Sequence, residues 1–352
     1  MTDPSDSAPE RAVDIDAFTQ WLDEQGLGSG PLEDIKFISG GTQNILMRFT
    51  RSGKTHILRR PPQHLRENSN RTMVREATVL KALAGSGVPH PALVAYSADT
   101  QPLGYAFYIM EVIDGFNPTT GLPAAHAASP PMRHRMGLAL TEGIARLGEL
   151  DYLAMGLADF GKPDDYLARQ VERWNAQLDS YSQLPQWDGR KDLPEVEAIG
   201  QWLETHRPAS FRPGIMHGDY HLANVMFCND SAELAAIVDW ELATIGDPLI
   251  DLGWLLATWP DDQAPNPWAP PVSPWEGFPS AAELIEHYGR HSTRDLGAMD
   301  WYRVLACFKL AILLEGTYAR ACQGKAPKDT GDELHARATR LLRRASHWIE
   351  HG

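Results

Sequence analysis

Cysteine is scarce in this chain. The three present, Cys228, Cys307 and Cys322, have no metal-ligand spacing and cannot all pair with one another. They are expected as reduced thiols, which argues for a cytoplasmic protein and against a disulfide-framed secreted one. No run of about 18 apolar residues occurs, so no membrane span is expected. The first fifteen residues carry neither a basic nor an apolar leader segment, and a signal peptide is not expected. Positive charge is also short: 32 Lys and Arg against 46 Asp and Glu leave a net charge of −14. A protein that grips nucleic acid by its phosphates needs the opposite balance, so no nucleic-acid partner is expected. The acidity is compatible with a cationic substrate, but it serves solubility equally well. No repeat of fixed period is visible, and nothing bears on oligomeric state.

What is present is enough material for two cores. The 352 residues, 43% hydrophobic and 22% charged, have the balance of a soluble globular protein. After a polar tail to about residue 12, residues 15–27 have helical spacing, with Phe18, Leu22 and Leu27 as anchors. Short strands follow at 35–38, 45–50 and 55–60, joined first by Ser39-Gly40-Gly41-Thr42-Gln43-Asn44 and then by 51–54. A Gly-rich turn lets backbone N–H groups come close to phosphate oxygens, although paired glycines also make ordinary hairpin turns. Arg59 ends the third strand, where it reads as a pocket cation or as a solvated edge charge. Residues 72–83 form an amphipathic helix. Glu76 lies beside its apolar stripe with no cation three or four residues away to explain it. Residues 93–97 and 105–113 read as two more strands, and 114–118 as a boundary. The remainder is helical at 132–150, 164–181, 193–206, 281–291, 300–322 and 331–349. Residues 259–279 are too broken by proline for a helix and read as an irregular cover, a lid or a substrate wall.

The stretch from Gly214 to Leu252 is the most informative. Asn224–Phe227 reads as a strand, 228–232 as a turn and 233–238 as the returning strand, a hairpin that would bring Asn224 near Asp239. With Asp219 in the loop just upstream, the set is two carboxylates and one amide, oxygen donors that suit Mg²⁺. A kinase catalytic loop places Asp two residues after His and Asn five after that Asp; His217-Gly-Asp219-Tyr-His-Leu-Ala-Asn224 has both spacings. Taken alone, His217, Asp219 and His221 would also serve a zinc hydrolase. His217 and His221 read equally as satisfied loop histidines. With the Gly-rich turn, the strand cation and the helix-borne Glu, the assembled parts are those of a phosphoryl-transfer kinase.

The sequence resembles the aminoglycoside phosphotransferase and choline kinase superfamily, in the branch related to the kinase-like domains fused to acyl-CoA dehydrogenases. The resemblance runs from about residue 30 to about 345. It is carried by Gly40-Gly41-Thr42-Gln43-Asn44, Ile57-Leu58-Arg59-Arg60-Pro61-Pro62, Arg75-Glu76, Phe107–Glu111, His217–Asn224, Val238-Asp239-Trp240-Glu241 and Gly246-Asp247-Pro248 with Asp251-Leu252. It implies an α+β, bilobal protein-kinase-like fold: a small antiparallel-sheet N-lobe over 1–113 and a mainly helical C-lobe over 114–352. It implies a soluble, ATP- and Mg²⁺-dependent phosphotransferase acting on a hydroxyl of a small molecule. Asp219 would accept or orient the hydroxyl proton, and Asn224 and Asp239 would ligate Mg²⁺. Gly40, Gly41, Thr42 and Asn44 would cover the phosphates. Arg59 would contact them and pair with Glu76, and backbone groups at Glu111 and Val112 would hold adenine. Asp251 would buttress the loop and Glu241 would stand near the metals. Two departures are plain: Arg59 replaces a lysine, and Gly148 stands where relatives often carry a histidine. A nucleotide-binding protein without turnover is the alternative. The acceptor is open: an aminoglycoside would want an acidic cleft, a hydroxyacyl-CoA a basic patch with an apolar slot, and choline an aromatic cage.

Overall fold

In this computed structural model, residues 13–38, 44–184, 186–187, 189–262, 264–267 and 269–352 are described. The chain divides into two units. One takes the described residues up to Asp114 together with Ala236–Glu241; the other takes Gly115–Ala235 and Leu242–Gly352.

The first unit comprises α1 (Ile15–Glu24), β1 (Glu33–Ile38), β2 (Ile45–Arg51), β3 (Lys54–Arg60), α2 (Ser69–Leu83), β4 (Leu93–Ser97) and β5 (Phe107–Glu111). Asp14 caps α1 by accepting the Ala17 N–H at 3.0 Å. The five strands make one antiparallel sheet in the order β1-β2-β3-β5-β4. Ser52 and Gly53, both at positive φ (50° and 73°), turn β2 into β3, as a tight two-residue hairpin requires. The two-residue period of a strand then sorts the side chains. Met47, Phe49, Leu58, Phe107 and Ile109 face Phe18, Trp21 and Leu22 of α1 in a common core. Phe18 meets Phe49 edge-on at 5.2 Å, and Trp21 meets Phe107 at 4.8 Å. Arg59 and Tyr108, one step along their strands from Leu58 and Ile109, sit opposite each other in register and turn to the other face. There they meet Glu76 of α2, which shares its buried side with Met73, Ala77 and Leu80.

The second unit is mainly helical. Its elements are α3 (Ala124–Ala128), α4 (Pro130–Glu149), α5 (Ala168–Ser180), α6 (Val196–Thr205), β6 (Gly214–Met216), β7 (Val225–Phe227), β8 (Leu234–Ile237), β9 (Thr244–Gly246), α7 (Leu249–Thr258), α8 (Ala281–His291), α9 (Met299–Cys322) and α10 (Lys328–His351). The last residues of β8 already belong to the first unit. Helix α9 is central and packs against α10, α7, α5 and α6. No helix is long and apolar enough to cross a membrane among the described residues.

The sequence expectation lacks the short α3 and the strands β6 and β9, and two further differences concern helices α7 and α2. Helix α7 is absent from that expectation. Nine consecutive residues of α7, Leu249 to Ala257, are buried, so no polar face marks a 3.6-residue period. Helix α2 starts at Ser69 rather than 72. Residues 259–279 contain no helix or strand among those described, as proline spacing leads one to expect. Their carbonyls are instead served by buried Arg344, which donates to Trp259 O at 2.6 Å and Pro265 O at 3.1 Å.

Candidate functional site

In the first unit the residues singled out from sequence converge on Arg59. Its Nε lies 3.0 Å from Glu76 Oε2, and its Nη2 donates to Asp239 Oδ1 at 2.6 Å. Glu241 Oε2 is 3.8 Å from the same Nη2 and accepts the Asn44 amide at 3.1 Å. The Tyr108 hydroxyl donates to Glu76 Oε2 at 2.9 Å. Burial pushes the Glu76 carboxyl up, and Arg59 and Tyr108 pull against that rise. Burial alone would lower Arg59, but Tyr108, Glu76 and Asp239 outweigh it and hold the guanidinium charged. Asp239 takes the left-handed region at φ 66°, unusual for a non-glycine residue and a mark of functional positions. Its side chain is 38% exposed. A second buried oxygen, Glu76 Oε1, has no hydrogen-bond partner among the described residues. Glu111 and Val112 stand at the end of β5, where the Glu111 N–H is committed to Ala92 O at 2.9 Å. Gly40, Gly41 and Thr42 lie outside the described residues.

In the second unit the loop after β6 is built on Asp251 of α7. This buried carboxylate accepts two successive backbone amides, His217 N–H at 2.6 Å and Gly218 N–H at 2.8 Å. Gly218 has φ 88°, and a Cβ there would fall 2.5 Å from Leu242 O, so only glycine fits. The turn presents Asp219. Asn224 donates from Nδ2 to Asp219 O at 2.9 Å and to Oδ2 at 3.0 Å. The amide oxygen of Asn224 is the atom of this side chain that could hold a cation. Trp254 Nε1 donates to Asp219 Oδ1 at 2.9 Å, and His221 Nε2 lies 3.3 Å from the same oxygen. Burial alone would raise the Asp219 carboxyl, but His221 first, then His217 and Lys309, bring it down to about 2.

Lys309 of α9 was not anticipated. Its Nζ donates to Gly218 O at 3.1 Å and stands 4.2 Å from the centre of the Trp254 ring. Desolvation lowers it to about 8 although Asp219 and Asp251 pull it up. A lone lysine inside the apolar run Ala306 to Leu314 is the signal that marks it. Gly148 has a simple cause: a Cβ there would lie 2.7 Å from Pro248. His217, Asp219 and His221 are not among the three-residue clusters of converging metal-ligand atoms in the described residues.

A cavity of about 420 Å³ opens beside Asp219 within the second unit. Leu222, Trp254, Leu310 and Leu314 give it apolar walls, Thr119 and Thr258 add hydroxyls, and Arg337 is its one cation. Asp219 is the only carboxylate among the described residues of its lining.

The model of the phosphotransferase enzyme family matches residues 34–302. Mouse acyl-CoA dehydrogenase family member 10 is 29% identical over 338 residues, 92% of this chain and 30% of that protein. Human acyl-CoA dehydrogenase family member 11 is 29% identical over 335 residues, 92% of this chain and 41% of that protein. The chain therefore spans less than half the length of these relatives. A Ralstonia eutropha protein, provisionally named an aminoglycoside phosphotransferase, is 28% identical with a TM-score of 0.78; 95% of this chain and 98% of that one are covered. The sheet unit and the helical unit are those of a protein-kinase-like fold.

Proposed function

This chain belongs to the phosphotransferase enzyme family, and from that premise we propose that it transfers the γ-phosphoryl group of Mg²⁺-ATP to a hydroxyl of a small molecule. The observation that carries the reading is Asp219, hydrogen-bonded by Trp254 and Asn224 and beside His221, at the edge of the 420 Å³ cavity. Fold alone would not carry it, since one fold hosts many activities.

The roles follow from the chemistry of each group. Mg²⁺, when bound, would supply neutralisation of the charge that develops on the phosphates. Asp239 and the Asn224 amide oxygen are hard oxygen donors fit to hold it. Arg59 would turn its fork from Asp239 toward the α- and β-phosphates, with Glu76 fixing its stem. Gly40, Gly41, Thr42 and Asn44 would cover the phosphates, and backbone groups of Glu111 and Val112 would meet the adenine. A carboxylate lowered to about 2 is a weak base near neutral pH. Asp219 therefore acts first by orienting the hydroxyl for in-line attack and receives its proton as the new P–O bond forms. That suits a loose transition state, in which the nucleophile gains little charge early.

The cavity also bears on the acceptor. A polycationic aminoglycoside would want several carboxylates, and the described residues of the lining supply one. A quaternary ammonium would want an aromatic cage, and among the described residues Trp254 and the His221 imidazole are the rings in that lining. Apolar walls with a single arginine favour an acceptor with an apolar body. The competing reading, nucleotide binding without turnover, draws on Arg59 occupying Asp239 Oδ1; the intact Asp219, Asn224 and Asp239 set favours turnover.

The deciding experiment is ADP release from Mg²⁺-ATP across hydroxylated acceptors of graded charge and apolarity. Turnover that falls by about 10²–10⁴ in Asp219→Asn and at least as far in Asp239→Ala supports the assignment. Near-wild-type turnover in Asp239→Ala overturns the metal role.

A further inference from the structure

The phosphoryl-transfer roles proposed above leave unused a polar seam between α4 and α8. His287 and His291 stand four residues apart on α8, hence on one face, with ring centroids 4.5 Å apart. Glu142 of α4 reaches both: its Oε1 is 2.7 Å from His287 Nε2 and 4.0 Å from His291 Nε2. The three ligand atoms all lie within 4.8 Å of one another. Glu142 and His287 are largely buried, with side chains 11% and 12% exposed, while His291 at 37% leaves a way in from solvent.

The surroundings orient these groups as the partners of metal ligands do. His291 Nδ1 lies 2.9 Å from His287 O, so the ring proton belongs on Nδ1 and the Nε2 lone pair faces the cluster. Arg135 Nη2 holds Glu142 Oε2 at 3.0 Å and is itself held by Glu233. Two imidazole nitrogens and one carboxylate oxygen are the donor set of an open zinc site, whose fourth ligand is water.

We propose that Glu142, His287 and His291 bind a divalent transition metal of the zinc class, at a site separate from the phosphotransferase residues, and that the ion ties α8 to α4. Loading requires three local changes. His287 moves its proton from Nε2 to Nδ1. Arg290, whose Nη2 lies 3.3 Å from that Nδ1, turns away; its side chain is 59% exposed, so it has water to turn to. Arg135 Nη1, now 2.5 Å from Oε1, releases that oxygen while Nη2 keeps Oε2. Arg146, 3.7 Å from Oε2, stays on the side of the carboxylate away from the ion. Helix α8 is capped by Ser280, directly after residues 259–279, and Pro271 of that run lines the cavity beside Asp219. An ion at the seam would thereby fix the anchorage of one wall of the cavity.

The test is titration of the metal-stripped full chain with Co²⁺ at pH 7.5, followed by visible absorption, with Zn²⁺ as competitor. One equivalent of Co²⁺ with the intense bands of a four-coordinate site, displaced by Zn²⁺, is expected. His291→Ala, at the exposed position, should weaken binding at least tenfold, and Asp239→Asn should leave it unchanged. Thermal melting supplies a second readout: Zn²⁺ should raise the wild-type midpoint and leave that of His291→Ala where it was. Absence of Co²⁺ binding by the wild type overturns the proposal, and so does binding by His291→Ala at wild-type affinity.

Discussion

Arg59 Nε stands 3.0 Å from the Glu76 carboxylate, with the Glu76 side chain wholly buried and that of Arg59 10% exposed. A buried ion pair adds little net stability when intact, yet breaking one strands a charge and costs about 3–5 kcal/mol. Arg59→Ala should lose that amount in urea unfolding, and Arg59→Met with Glu76→Leu should recover most of it without restoring turnover. The pH dependence has a sign. The Glu76 carboxyl is already raised by burial, and Arg59→Ala removes the cation that opposes the rise. A raised carboxyl costs stability as pH climbs from its unfolded pKa through its folded one. The Arg59→Ala variant should therefore be more stable, relative to wild type, at pH 5 than at pH 8.

Trp254 offers a cleaner probe of Asp219 than changing the aspartate. Trp254→Phe keeps a ring in the wall and deletes one hydrogen bond to a charged group, about 1.5–3 kcal/mol. If that bond serves the transition state, kcat falls roughly 10- to 100-fold and nucleotide affinity holds. Asp219→Asn should lower kcat by about 10²–10⁴. Steady-state kinetics beside nucleotide binding separates the two effects.

Asp251 satisfies two buried amides, so Asp251→Ala should cost about 1–3 kcal/mol for each stranded N–H. Asp251→Asn, which keeps one acceptor oxygen, should lose less. Chemical denaturation of the two variants checks the order.

Lys309 supplies a pH signature of the opposite kind. Its folded pKa of about 8 lies below its ordinary 10.5, so folding is disfavoured while the amine is charged. The penalty is full below about pH 8 and lifts as pH rises from there toward 10.5. Wild type should gain stability relative to Lys309→Met across that interval in thermal melts at stepped pH. A flat difference would remove Lys309 from the desolvated set around Gly218.

The loop geometry was legible because it is local. The spacings His217 to Asp219 to Asn224 place three candidate residues within eight positions, and the structure ties Asp219 to Asn224 directly. Glu76 was legible as an anomaly, a charge beside an apolar stripe without a helical partner; its partner lies on a strand. Sequence could not show which residue would hold Asp219 from α7, because Trp254 sits in a helix buried all round and reads as packing. Lys309 was missed for a related reason: its task depends on Gly218, far away in sequence, and on a ring brought beside it by packing. The apolar cavity is likewise assembled from separate elements, none of which advertises a pocket by itself.

The assignment of Ala236–Glu241 to the first unit has a consequence for how the protein is made. A ribosome that has released Asp114 has delivered the whole five-stranded sheet, yet Asp239, the acid that faces Arg59, has still to be synthesised. During that interval Arg59 and Glu76 have only each other and Tyr108. The sheet unit is therefore finished late in translation, and a fragment ending at residue 114 would carry its guanidinium without the second carboxylate.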